Sequence, residues 1–181
     1  MIPVEFFWIS LFLMFGLIGS AHGLRKELGA TTILLLSLFA AFIGEQQILS
    51  RITGALPEGP LGDWPEGTVV AIYYAVIIIF VAFISYEGIV LAFPVKELKG
   101  VGKWFFGFFG GLINGYLVIG TLWNVIARAD YFRPKLTLVS GTLSSLHEGI
   151  IPLLPISLMD SFSPYIMLVL GMILLLAIVL K

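Results

Sequence analysis

The sequence contains no cysteine, which excludes disulfides, zinc–thiolate sites, iron–sulfur clusters and thiol catalysis together. Histidine is nearly as scarce, at two in 181 residues. A metal centre would need carboxylates instead, and these fall mostly in stretches that read as solvated or interfacial. Charge is the third shortage: Asp, Glu, Lys and Arg make up 12% of the chain, about half the roughly 25% of an ordinary soluble domain. Neither sign dominates. Ten Lys and Arg stand against eleven Asp and Glu for a formal charge of −1, which leaves no basic footprint for nucleic acid.

What is there instead is apolar: 59% of the residues are hydrophobic and the mean hydropathy is +1.07. Such a chain cannot cover a globule with water-compatible surface, and a bilayer is the solvent that suits it. Apolar runs with few charges occupy 4–23, 28–49, 67–94, 104–127 and 164–180. They predict an all-α fold, a polytopic transmembrane helical bundle of four to five spans forming a single integral membrane domain over 1–181. At about 1.5 Å per residue the first run reaches about 30 Å, one bilayer core, whereas 67–94 reaches about 42 Å and must tilt or carry one end into the headgroups. The run 164–180 sits at the lower bound of a span. Between 128 and 163 the chain is too long for a tight turn and too apolar for a free linker. Within it, 140–148 sets Leu143 and Leu146 among Ser, Thr and His, as in a short helix lying in the interface. Pro152 and Pro155 then interrupt any helix, and Asp160–Pro164 reads as a cap before the last run.

Gly19-Ser20-Ala21 offers small residues where a signal peptidase cuts, but Glu5 precedes the run without a Lys or Arg, and Arg25-Lys26 follow it. Those flanks favour a retained span. Arg25, Lys26, Lys96, Lys99, Lys103 and Lys181 fall on one face of a five-span chain, and Arg51, Arg128, Arg133 and Lys135 on the other. The short basic connections lie beside span ends, where the positive-inside rule weighs most, and this places the amino terminus outside and the carboxyl terminus inside. The Pro- and Gly-rich connection 50–66, with Glu58, Asp63 and Glu66 against Arg51, agrees.

Glycines carry the clearest pattern. Gly107, Gly111 and Gly115 recur at every fourth position of the fourth run and form one flat strip along a helix. In lipid, helices associate through close backbone approach and dispersion, and side-chain bulk prevents that approach. The first run offers matching pairs, Gly16 with Ser20 and Gly19 with Gly23. The strip reads as a helix–helix seam, within the chain or between copies, or else as a sliding face beside a pore or gate, with Phe105, Phe106, Phe108 and Phe109 near it.

Among polar residues, Glu87 stands seven positions before Pro94. It is either an intramembrane acid with a functional partner, such as a proton relay, or an interfacial acid paired with Arg25, Lys96 or Lys99. Arg25, Lys26 and Glu27 read as a charged turn on the inner headgroups, with His22 a hydrogen-bonding neighbour. Asn114, beside the glycine strip, bonds across a helix pair or lines a polar path. Asn124 stands near the end of its run.

Catalytic motifs fail one by one. Gly100-Val-Gly-Lys103 lacks the leading Gly and the trailing Ser or Thr of a phosphate loop, having Glu97 and Trp104 there. His147-Glu148 lacks the second His of a zincin, since Ile151 occupies that position. There is no Gly-x-Ser-x-Gly elbow. No catalytic residue, metal ligand set or cofactor is expected, and the chain reads as non-enzymatic.

The first run leading into Gly23-Leu-Arg-Lys-Glu27, followed directly by a second span, resembles the amino-terminal signature of the colicin V production family, in which a small residue, an Arg and a Glu follow the first helix. Lys103-Trp-Phe-Phe-Gly107-Phe-Phe-Gly-Gly111-Leu-Ile-Asn-Gly115 resembles that family's later glycine-spaced helix. The likeness covers about residues 4–127. It implies a multi-pass protein of the bacterial inner membrane, with about four core spans and no established catalytic activity, tied to toxin production or secretion and to envelope homeostasis. Where family members often carry Arg, this chain has Asn114, and its fifth run goes beyond the usual four. The expected partners are membrane lipids and, through the glycine faces, a second copy or other membrane proteins. The rival expectations are a small transporter or channel using Arg25, Glu87 and Asn114, and an accessory subunit of a larger membrane complex.

Overall fold

Gly23 organises the first half of the fold. In the computed structural model, which describes residues 4–49, 66–87, 93, 98–129, 149–161 and 163–180, it alone separates helix α1 (Val4–His22) from helix α2 (Leu24–Gly44). Its φ of 85° and ψ of 159° lie in a region essentially closed to residues with a Cβ. Because one residue makes the whole turn, α2 begins at Leu24 and not at 28. Arg25, Lys26 and Glu27 therefore sit in the first helical turn, where the amides of Lys26 and Glu27 reach the Gly23 carbonyl at 3.2 and 3.3 Å. An acid in that position also faces the positive end of the helix dipole.

Helix α3 runs Glu66–Glu87, and α2 ends in a single π turn, Glu45–Leu49. Helix α4 (Val101–Gly115) passes through a π turn at Tyr116–Gly120 into α5 (Thr121–Arg128) without leaving helical backbone angles. A short 3-10 turn, Ile151–Leu153, precedes α6 (Pro155–Ser161), and α7 runs Tyr165–Val179. Among the described residues there is no strand, so the fold is an all-α bundle. The helix expected over 140–148 lies outside the described residues.

Three stretches are long and apolar enough to cross a membrane: Leu24–Gln47, Gly67–Glu87 and Val101–Arg128. A fourth exists if α6 and α7, bent by 114° at the break between them, count as one broken span. Two features account for a bent fourth stretch in place of one continuous helix over 164–180. Pro155 begins a helix instead of only interrupting one, as its fixed φ and missing N–H allow at a first helical position. The 15 residues of α7 then reach only about 22 Å, short of a hydrocarbon core of about 30 Å. Helix α1, with 19 residues, reaches about 28 Å. Asp160 is no cap for α7: it lies within α6, paired with Arg128 of α5.

Helix α2 is the central rod, with α1, α3, α4 and α7 packed round it. Its Leu34, Leu35, Leu38 and Phe42 meet Trp8, Ile78, Leu117, Val118, Trp123, Met159 and Met167 in the core. The outside is apolar as well. Ile72, Val76, Ile79, Phe80 and Phe83 make an exposed stripe down α3, and Phe6, Leu13 and Leu17 do the same on α1. Soluble monomers rarely expose contiguous apolar surface on that scale. The chain is a membrane protein, with lipid tails as the medium those stripes face.

Candidate functional site

The glycine strip seats α4 on α1. A Cβ placed on Gly111 would stand 2.9 Å from the Gly19 Cα, and one on Gly19 2.6 Å from the Gly111 Cα. One on Gly107 would meet the Gly23 Cα at 3.1 Å, and one on Gly115 the Phe15 Cβ at 2.8 Å. Backbone therefore touches backbone, and the seam lies within one chain. Gly16 faces the side chains of Phe108 and Leu112, while the Ser20 hydroxyl is turned back onto the Leu17 carbonyl at 2.7 Å and makes no bond across the seam. Of the pairs expected on α1, Gly19 with Gly23 carries the backbone contact.

A different glycine opens the polar site. Gly110 points at α2, and a Cβ there would come within 2.8 Å of the Glu27 Cβ. The missing side chain lets Glu27 lie inside the bundle, 1% exposed. Its Oε2 accepts a hydrogen bond from the Asn114 amide at 2.7 Å and another from the Tyr86 hydroxyl at 2.9 Å. Asn114, fully buried, also donates to the Glu27 carbonyl at 3.0 Å. The Thr31 hydroxyl lies 2.7 Å from Asn114 Oδ1 and 2.8 Å from the Glu27 carbonyl, so its one proton serves both. The other carboxylate oxygen, Oε1, is buried without a hydrogen bond, and His22 Nδ1 stands 3.3 Å away. Rings of Phe15 and His22 pack against Tyr86 at centroid distances of 5.7 and 5.6 Å.

Four helices thus converge on one carboxylate. Glu27 does not sit in the headgroup turn that its charged neighbours predict: the turn is Gly23 alone, and one helical turn later the side chain faces inward, opposite Gly110 and Asn114. Glu87 is exposed at the last residue of α3, Lys26 is exposed, and Arg25 is half-buried at the rim. Thr31, Tyr86 and Gly110 were not singled out as site residues. The four-residue spacing of Glu27 and Thr31 is a local signal that puts both on one helix face; nothing local announces Tyr86.

No family model, curated protein or solved structure matches the chain. The likeness to the colicin V production family accordingly rests on the two quoted motifs, and these are the segments that meet: Gly23–Glu27 lies against Gly107–Gly115.

A carboxylate surrounded by fixed donors in a low dielectric can hold a charge or a proton at that place, and intramembrane acids of this kind mark ion and proton pathways. No group of three or more His, Asp or Glu that could hold a metal ion occurs among the described residues. At the other end of the bundle, Tyr74 donates to Glu45 at 2.7 Å, Tyr73 to the Ala41 carbonyl at 3.1 Å, and Asn124 to Ser157 at 2.6 Å.

Proposed function

We propose that the chain is a non-enzymatic, multi-pass protein of the bacterial inner membrane, acting as the colicin V production family does in toxin production or secretion, or in envelope upkeep, with the Glu27 centre as its working part. The observation that carries this reading is a carboxylate 1% exposed inside the bundle, supplied by one family-like motif and held by the other. A group so costly to bury in lipid is retained for a role. The glycine strip supports that role by fixing α1 to α4 and leaves no free backbone face there for a second copy; the partners reached directly are the lipids along α1 and α3. The basic residues at the α1–α2 turn and around Lys103 favour that end as the cytoplasmic one, with the amino terminus outside and the carboxyl terminus inside.

The test is complementation in a bacterium lacking the chain, read as toxin export and as survival under envelope stress. Wild type and Glu87→Gln should restore both, and Glu27→Gln should restore neither while inserting at normal abundance. Full rescue by Glu27→Gln would remove the centre from the function.

A small transporter or channel is the second reading, favoured by the discontinuous α6–α7 pair beside Asn124, since broken helices next to buried polar groups are where transporters place their sites. Flux across liposomes that Glu27→Gln abolishes would favour it, and tight liposomes would count against it.

A further inference from the structure

The two oxygens of Glu27 differ in kind. Oε2 is engaged by Tyr86 and Asn114, donors that keep their protons. Oε1 is buried without a hydrogen bond, and the group beside it is an imidazole nitrogen, His22 Nδ1, at 3.3 Å. The His22 side chain is 31% exposed and that of Glu27 1%, so the ring stands between the outside of the bundle and the carboxylate. Imidazole both takes and gives a proton readily, which an amide or a phenol in this position would not do near neutral pH.

The position of the pair along the bundle also fits exchange with water. A Cβ on Gly23 would meet the Lys103 side chain at 3.1 Å, so the stem of Lys103 lies across the α1–α2 turn. Gly107, level with that turn, stands six residues or about 9 Å along α4 from Val101. His22 is therefore close to one membrane face, and Glu27 lies about one helical turn deeper. Among the described residues, the charged and titratable groups that the surrounding elements carry at this end are His22 on α1, Arg25 and Lys26 on α2 itself, Tyr86 and Glu87 on α3, and Lys103 on α4. The hydrogen bonds to Oε2 hold the Glu27 side chain in place.

We propose that Glu27 is a proton-loading site, filled and emptied through His22 from the membrane face that carries Lys103. This rests on the reading of Glu27 as the working part of the protein. In loading, the Nδ1–H bond of a His22 imidazolium breaks and an O–H bond forms at Glu27 Oε1. The electron pair of the broken bond stays on the ring, which leaves neutral imidazole beside neutral carboxylic acid. That imidazolium forms beforehand, when hydronium gives a proton to Nε2 of a neutral ring that carries its own on Nδ1, and no second protonation is needed to fill the site. Unloading is the reverse, and no oxidant, reductant or further reactant is needed.

The experiment is infrared difference spectroscopy on the full chain in lipid nanodiscs after a rapid drop in pH. Wild type should show the carbonyl stretch of a protonated buried carboxyl, and Glu27→Gln should lack it. Tyr86→Phe, which keeps the acid and removes one donor to Oε2, should shift the band; this identifies it even if Glu27→Gln fails to fold. His22→Gln should keep the band and slow its rise about a hundredfold, the scale of a positioned proton-transfer group. Absence of the band in wild type, or a band indifferent to Tyr86→Phe, overturns the site. An unchanged rise in His22→Gln overturns the route. The spectra are independent of complementation: a Glu27→Gln variant that rescues cells while the wild-type band behaves as expected would refute the functional reading and leave proton loading standing.

Discussion

Glu27 is held by donors from two other helices, and each can be removed separately. Asn114 supplies two of the hydrogen bonds and positions Thr31, whereas Tyr86 supplies one. A single hydrogen bond between membrane helices contributes about 0.6 kcal/mol on average, so Tyr86→Phe should destabilise the bundle by about that much. Asn114→Ala strips the amide from both the carboxylate and the Glu27 carbonyl and leaves buried acceptors unmatched, at a cost of about 1–3 kcal/mol. Reversible unfolding in mixed micelles, followed by tryptophan fluorescence, should rank Asn114→Ala well below Tyr86→Phe; equal losses would mean that the amide is not the main support. The centre was only half legible in the sequence. Asn114 stands out as a polar residue in apolar surroundings and Glu27 as the acid of a charged triplet, but they are 87 positions apart and Tyr86 is 59 from Glu27. Local pattern cannot encode such contacts, and three consecutive charged residues after a span read as a headgroup turn unless the turn is known to be a single glycine.

Helix pairing was more legible, because a glycine at every fourth position has a physical meaning that does not depend on distant residues: it makes a flat face, and in lipid a flat face is used. The partner on α1 was also visible as pairs of small residues. What the spacing left open was whether the seam joins two helices of one chain or two chains, and Gly19 against Gly111 resolves that in favour of one chain. The seam makes a graded prediction. A methyl on Gly19 or Gly111 collides with backbone, which cannot move aside without parting the helices, so Gly19→Ala and Gly111→Ala should each destabilise by about 1–3 kcal/mol and Gly111→Leu should prevent α1 from docking. Gly16→Ala meets only the side chains of Phe108 and Leu112, which can rotate, so its effect should be the smallest of the set. Gly23→Ala adds backbone strain of about 1–3 kcal/mol and should change the α1–α2 turn itself. Protease resistance of the five variants in nanodiscs checks the order, and a Gly16→Ala variant as fragile as Gly111→Ala would contradict the seam.

At the level of the whole molecule, composition determines the solvent but not the number of crossings. The run 164–180 carries ample hydropathy, yet the chain before it opens a helix at Pro155 and bends, a tertiary outcome that hydropathy counts cannot register. The long helix Val101–Arg128 then serves as the ruler. It has 28 residues and reaches about 42 Å, more than a core of about 30 Å, so its two ends should project on opposite sides. Lys103 lies against the α1–α2 turn, whereas Arg128 lies beside Gly67 and pairs with Asp160. The absence of cysteine makes this directly measurable, since any single introduced thiol is the sole target of a membrane-impermeant maleimide. Lys26→Cys and Lys103→Cys should label from one side only, and Arg128→Cys from the other. With the basic turn in the cytoplasm, the first two should label in inverted vesicles and the third in intact spheroplasts. The reverse assignment would invert the proposed orientation but keep the bundle. Labelling of Lys103→Cys and Arg128→Cys from the same side would mean that the long helix does not cross, and would remove the ground for placing the Glu27 centre inside a membrane.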